Sequence, residues 1–278
     1  MTSRPAAPPG KRAHAPGKIA AVTAQVQSLT RGLSILECLA RAEGGLTLTD
    51  VGQRVQLPPS TVHRLLATLE KMGYVYQAGE LGRWYVGLQA FTVGSSFLAS
   101  RDFIAQSHPY MLRLMDQSGE TVNLAILDGT EAVFVDQVQC REMMRTIVKL
   151  GSRAPLHASG VGKAMFASLP DDQIDAILKV RGLPRITGNT ITTPETMWAS
   201  IRVIRQRGWS FDDEEHAQGT RCVASPIYDE HAETLGAISL AGPSSRLPDD
   251  RIRQLGPLVA HAAEELTHRL GGKWPHGR

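Results

Sequence analysis

Between Leu46 and Gly87 the hydrophobic and polar positions fall into two short helical periods followed by two strand-like runs. In LTLTDVGQRVQLPPSTVHRLLATLEKMGY, Thr47 with Asp50 three residues on has capping-box spacing and opens a helix that should stop near Gln56. Leu57-Pro58-Pro59 breaks the chain, and a second helix is predicted from Ser60 or just before it, since proline suits a first helical turn. There Val62, Leu65, Leu66, Leu69 and Met72 form one stripe, opposite Ser60, Thr61, Arg64 and Lys71, with His63 at the edge. After Gly73, the expected C-cap, YVYQ and RWYVG read as strands joined by the turn-forming Ala78-Gly79-Glu80-Leu81-Gly82. Upstream, a helix opening at Leu29 has apolar positions 29, 33, 36 and 39, with Cys38 on its apolar stripe, and completes a three-helix bundle. Helix, tight turn, helix and β-wing make a winged helix-turn-helix, whose expected partner is duplex DNA. Its candidate contacts are Ser60, Thr61, His63 and Arg64 on the second helix, Arg83 in the wing, and Arg31 at the start of the first helix.

Downstream the period changes. LQAFTVGSSFLAS, Leu88 to Ser100, reads as a helix with Gly94, Ser95 and Ser96 amid apolar residues. That pattern suits a dimerisation linker and equally a plain packing helix. A helix over Phe103–Gln117 follows, then a hairpin of GETVNLAILDG and TEAVFVDQVQ turning at Asp128-Gly129, and a strand around Thr146–Leu150. Helices are expected over Ser159–Leu169, Asp171–Lys179, Glu195–Arg207 and Asp249–Leu270, and a second strand pair in RCVASPIYDE and TLGAISLAG. Antiparallel pairs without βαβ alternation predict an α+β fold. The expected division is a disordered basic arm over 1–25, the winged helix-turn-helix over 26–88, the linker helix over 89–101 and an effector-type domain over 102–272.

Composition changes this picture in three places. With 278 residues, 42% of them hydrophobic, the chain can fill two ordinary cores, and it has no run of 18 apolar residues, which excludes a membrane-spanning helix. The Pro- and Ala-rich start lacks the apolar stretch of a secretory signal, and Cys38, Cys140 and Cys222 form no CxxC pair, so reduced thiols in a cytoplasm are expected. The net charge of +3 hides an asymmetry: residues 1–88 hold ten Lys/Arg against five Asp/Glu, and the remainder twenty against twenty-two. A basic module beside a mildly acidic one fits a DNA reader joined to a domain that does not touch DNA.

Other chemistry fits these residues less well. GVGKA fails as a phosphate loop, because His157 stands where its first Gly is needed and Ala164 where Ser or Thr should be. Asp212, Asp213, Glu214, Glu215 and His216, with His157 or Cys222, could ligate a metal, but consecutive residues cannot all converge, and a solvated acidic loop is expected instead. A Cys222/His157 nucleophilic pair is the enzyme reading; it lacks a nucleophile elbow, and Cys222 reads better as a pocket wall. No cofactor and no catalytic residue is predicted.

The motifs VQSLTRGL, LPPSTVHRLLATL, VGSSFLASR, SGETVN, VDQVQC, PLHASGVGKA, SFDDEEHAQGTRC and AISLAGPSSR, with DDR soon after, resemble the IclR-type transcription regulators over about Gln25 to Gly272. The resemblance implies a DNA-binding domain, a linker helix and a GAF/PAS-like effector domain, assembled as homodimers or homotetramers on palindromic operators. It also implies repression of a carbon-metabolism operon such as that of the glyoxylate bypass, or, alternatively, activation or dual regulation of aromatic-acid or other organic-acid catabolism. The backbone N–H groups of Gly160 and Val161, at the start of the helix near Ser159, suit a carboxylate. The family's small-acid pocket falls on Gly160, Val161, Asp212, Cys222 and Ser239. Family members governing the acetate operon close it with bulky aliphatic side chains and a second serine; here those positions are Met143, Thr146, Ala154, Thr220 and Ala241. Lost volume and a lost hydroxyl point to an organic acid larger or more hydroxylated than glyoxylate or pyruvate.

Overall fold

The computed structural model describes residues 26–79, 81–99 and 102–275. The expected disordered arm, the end of the linker helix at Ser100 and the wing's Glu80 lie outside the described residues. The chain divides into two compact units, one up to Ser96 and one from Phe97.

The first unit holds α1 (Gln27–Ala40), α2 (Leu48–Val55), α3 (Pro59–Lys71), β1 (Val75–Ala78), β2 (Arg83–Val86) and the start of α4 (Leu88–Ala99). The Thr47 capping box is formed: Thr47 Oγ1 accepts from Asp50 N at 3.2 Å, and Thr47 N donates to Asp50 Oδ2 at 3.1 Å. Gln56 adopts a left-handed conformation to end α2, and Pro59 occupies the first turn of α3. Gly73, with φ +75°, lets Tyr74 N reach back to Leu69 O at 2.9 Å and closes α3. β1 and β2 pair antiparallel, Val75 opposite Val86, and the small core joins Ile35, Leu39, Leu46, Val51, Val62, Leu66, Val75 and Trp84.

Two expected stripes need correction. On α1 the buried residues are Gly32, Ile35 and Leu39, whereas Leu29 and Leu33 are exposed at 62% and 51%. On α3 only Val62 and Leu66 are fully buried; Leu65 and Leu69 are half-buried, and Met72 is exposed. A three-helix module this small has room for one narrow contact line per helix, so the second apolar line of each faces outward.

The second unit holds α5 (Asp102–Ser118), β3 (Thr121–Asp128), β4 (Glu131–Val138), β5 (Arg153–Pro155), α6 (Gly160–Ser168), α7 (Asp171–Arg181), α8 (Pro194–Arg207), β6 (Ser210–Asp213), β7 (Thr220–Tyr228), β8 (Thr234–Pro243) and α9 (Asp249–Arg269). Its strands form one antiparallel sheet in the order β5-β4-β3-β8-β7-β6. One core packs α5 and α9 against one sheet face through Met111, Leu114, Val122, Leu124, Ile238, Leu240 and Val259. The other packs α6 and α8 on the opposite face through Ala125, Phe134, Met165, Phe166, Ile201 and Ala224. Both faces are covered, which explains why β7 and β8 are buried along nearly their whole length instead of alternating. The strand expected over Thr146–Leu150 is absent. That segment forms no ladder, and the sheet edge beside β4 is taken by β5, with Gly151 N donating to Phe134 O at 2.7 Å.

Candidate nucleic-acid interface and effector site

On the first unit, α3 presents Ser60, His63 and Arg64 to solvent, with Thr61 half-buried, and Arg31 is exposed at the start of α1. Arg31, Thr61 and Arg64 also line a groove of about 950 Å³, shared with Leu29, Leu33, Leu36, Leu65, Leu69, Met72 and Val93. Arg83 is placed differently: half-buried, it donates from Nη1 to Gly45 O at 2.9 Å and so ties the wing to the segment ahead of α2. Its charge also helps hold the Asp50 carboxyl below its usual range, after the two hydrogen bonds from Thr47. At least one of its donors therefore serves the domain itself.

The second unit gathers its candidate residues around the start of α6. Ser159 caps that helix, its Oγ accepting from Gly162 N at 3.1 Å, and all nine residues of α6 are buried. The first helical N–H groups, those of Gly160 and Val161, have no carbonyl partner within the helix. A Cβ at position 160 would come within 2.5 Å of Cys222 Sγ, so only glycine lets the helix start sit this close to β7. The register sets Asp212 opposite Cys222, Cys222 opposite Ala241, and Ala224 opposite Ser239, which puts all of these on one face of the sheet.

Three polar groups on this face are buried. Ser239 is 1% exposed, and its hydroxyl has no hydrogen-bond partner by geometry, although it lies close enough to the Cys222 thiol to favour its ionised form. Burial, and then the Asp212 carboxylate, nevertheless push the Cys222 thiol up to about 12. Asp212 is 5% exposed; its Oδ1 accepts from Glu215 N at 2.8 Å and His216 N at 3.4 Å, which turns the chain at the end of β6. Burial raises its carboxyl to about 7, against the opposing pull of Lys163.

The sequence reading misses Lys163 and puts its partner Glu215 in solvent. Lys163, 2% exposed, donates from Nζ to Phe211 O and to Glu215 Oε1, and Glu215 is 6% exposed with Oε2 unpaired. The expected solvated acidic loop is thus corrected: Asp212 and Glu215 are interior, while Asp213 and Glu214 are half-buried. A signal for Lys163 was present in GVGKAMFAS, a helix with no polar face, where an ammonium must find an internal partner.

The remaining expected pocket residues are spread out. Ala154 is buried on β5 opposite Ala132, Thr220 is half-buried at the start of β7, and Thr146 is half-buried. Met143 is 98% exposed, so its side chain closes nothing in this chain. Among the described residues no group of three or more His, Cys, Asp or Glu is arranged to hold a metal ion. The nucleophile reading loses its geometry. His157 donates from Nε2 to Pro184 O at 3.0 Å and lines a cavity of about 320 Å³ with Leu156, Phe166 and Leu183, while Cys222 keeps its proton far above neutrality.

Comparisons with known proteins agree with this arrangement. Residues 28–79 match the IclR helix-turn-helix domain, and residues 95–268 match the family described as bacterial transcriptional regulator IclR C-terminal. The chain is 50% identical over 267 residues to the acetate operon repressor of Salmonella typhimurium, covering 95% of this chain and 97% of that one. It is 48% identical to the transcriptional repressor IclR of Escherichia coli, again covering 95% and 97%. Among solved structures, the Thermotoga maritima IclR has a TM-score of 0.75 at 26% identity, covering 89% of this chain and 100% of that one. A transcriptional regulator from Rhodococcus sp. RHA1 reaches 0.79 at 29% identity, covering 89% and 99%. These families and relatives are transcription regulators, not enzymes, and among the described residues no helix is long and apolar enough to cross a membrane. The chain belongs to the IclR family of DNA-binding transcription regulators, with a helix-turn-helix domain followed by a C-terminal effector domain.

Proposed function

We propose that this regulator represses a carbon-metabolism operon of the glyoxylate-bypass kind and is controlled by a small organic acid bound in the second unit. The observation that carries the effector reading is the buried Ser239 hydroxyl, without a hydrogen-bond partner by geometry, on the sheet face that carries Cys222, against which α6 begins with the Gly160 N–H directed at the Cys222 sulfur. An unpaired hydroxyl costs stability unless a ligand oxygen completes it, and a carboxylate also suits the helix terminus. The relatives named as repressors, one of the acetate operon, support the regulatory reading. Ser60, Thr61, His63 and Arg64 would enter the major groove of a palindromic operator, and Arg31 and Arg83 would meet phosphate.

Assembly follows from the outward apolar lines. Leu29 and Leu33 on α1, Met72 beside α3, and Leu88, Phe91 and Val93 on α4 are exposed, which suits burial against a second copy. A homodimer in the cytoplasm, and a homotetramer on DNA, is the proposed state; a monomer in light scattering at micromolar concentration contradicts it.

The effector is proposed to exceed glyoxylate in size or hydroxylation. Thr220 stands half-buried two residues from Cys222, and Ala241, opposite Cys222, offers no hydroxyl. Calorimetry with glyoxylate, pyruvate and larger hydroxy and keto acids tests this. Tighter binding of a larger acid is expected; tightest binding of glyoxylate refutes the size argument.

A further inference from the structure

We propose that the site takes up its carboxylate effector together with one solvent proton, which Asp212 holds in the bound state; this rests on the effector reading above. Charged and titratable residues face Asp212 from several elements. Lys163 reaches it from α6, Glu215 from the turn after β6, where His216 adds only a backbone N–H, and Cys222 from β7, while His157 acts on His216 from the segment ahead of α6. Ser239 on β8 contributes only a neutral hydroxyl. Cys222 is a neutral thiol, and Lys163 is already bound to Glu215 and to Phe211 O. The buried set thus holds one ammonium against two carboxylates, and the unbalanced one is Asp212.

A small organic acid enters this set as an anion, because a free carboxyl has a pKa of about 3.5 and is ionised throughout the neutral range. Its arrival beside an ionised Asp212 would bury two adjacent negative charges, and one proton relieves that repulsion. The geometry offers a place for it. Oδ1 of Asp212 accepts from two backbone N–H groups and must remain an acceptor, so the proton sits on Oδ2 and can be donated to an effector oxygen. The balance is simple: effector anion plus one proton from buffer gives the bound anion and a neutral Asp212 carboxyl, with no covalent bond to carbon changed.

The free site is already close to taking that proton, since burial lifts the Asp212 carboxyl to about 7. A bound anion lifts it further. Affinity is therefore full below the free value and is lost as pH rises through it, about tenfold per pH unit while the bound form keeps its proton.

The test is calorimetry on the full chain with glyoxylate, pyruvate and the larger acids, at pH 6 and pH 8, in phosphate and in Tris. At pH 8 the heats should differ between buffers by the ionisation enthalpy of about one proton taken up per acid bound, and at pH 6 by much less. The Asp212→Asn variant should bind with a flat pH profile, while Glu215→Gln, which frees Lys163 to balance Asp212, should move the slope to lower pH. Binding without proton uptake at pH 8 overturns the proposal while leaving the effector reading intact. So does a slope that survives in Asp212→Asn. Should Asp212→Asn fail to fold, the two-buffer experiment on the wild-type chain decides alone. If no acid in the panel binds, the effector reading itself fails, and the proposal with it.

Discussion

The two units use polar residues in opposite ways. Among the described residues, every side chain in the first unit that is fully buried is apolar or aromatic, and Ser60, His63, Arg64 and Arg31 stand in solvent. The second unit buries Asn123, His157, Lys163, Asp212, Glu215 and Ser239, among others. On the proposed effector reading, the difference follows from partner size. A duplex is read from outside, by side chains that lose little by being hydrated, whereas a small acid must be enclosed by groups whose burial is costly until it arrives. The first unit therefore depends on one thin apolar core, and the second, with two larger ones, supports an internal polar cluster on the sheet face that α6 covers.

The largest effect that tests this contrast is expected at Leu66. It is 0% exposed in the small core, and Leu66→Ala should cost about 2–5 kcal/mol through the cavity left behind. Because the second unit has its own cores, DNA binding should collapse while acid binding by calorimetry stays within about twofold. Equal loss of both activities would mean that the units do not stand apart.

How much of this was legible in the sequence depended on what each residue's surroundings left open. The Thr47–Asp50 capping box, the Pro59 start of α3 and the Gly73 stop are local signals, and each appears where expected. Period alone does not place the stripes on α1 and α3, because Leu29 and Leu33 look as apolar as Ile35; which line faces the core is decided by packing. Thr146–Leu150 carries β-branched residues, yet propensity cannot supply a ladder partner. At the candidate effector site, the sheet face shared by Asp212, Cys222 and Ser239 was within reach of strand alternation. The Lys163–Glu215 pair, 52 residues apart in sequence, was not.

A smaller effect is expected at the surface of the first unit. Arg64 is exposed on α3, so Arg64→Ala should leave the fold within about 0.5 kcal/mol of wild type. Operator binding should fall by about 1–3 kcal/mol if the guanidinium reads a base edge. A uniform loss on operator and random DNA, with a shallower salt dependence, would instead assign Arg64 to phosphate. Anisotropy titrations at two salt concentrations distinguish these results, and unchanged operator affinity removes Arg64 from the interface.

The smallest expected change in stability is at Ser239, and its sign is the informative part. Removing a buried hydroxyl normally breaks a hydrogen bond and destabilises the protein by about 0.5–1.5 kcal/mol. Here the hydroxyl has no geometric partner in the unliganded chain, so Ser239→Ala removes a desolvated group and should leave stability unchanged or slightly higher. The nearby Cys222 thiol loses a neighbour that favours its ionised form, but it is already neutral and loses little. The same substitution removes a donor that an effector oxygen would use, so acid affinity should drop about two- to tenfold. Denaturation midpoints without ligand, paired with calorimetry, read both quantities. A clear destabilisation would show that the hydroxyl serves the free protein, and unchanged affinity would take Ser239 out of the site. Arg64→Ala and Ser239→Ala then make matched opposites: each spares the fold and weakens recognition, one by stripping charge from a hydrated face and the other by emptying a donor from a dry one.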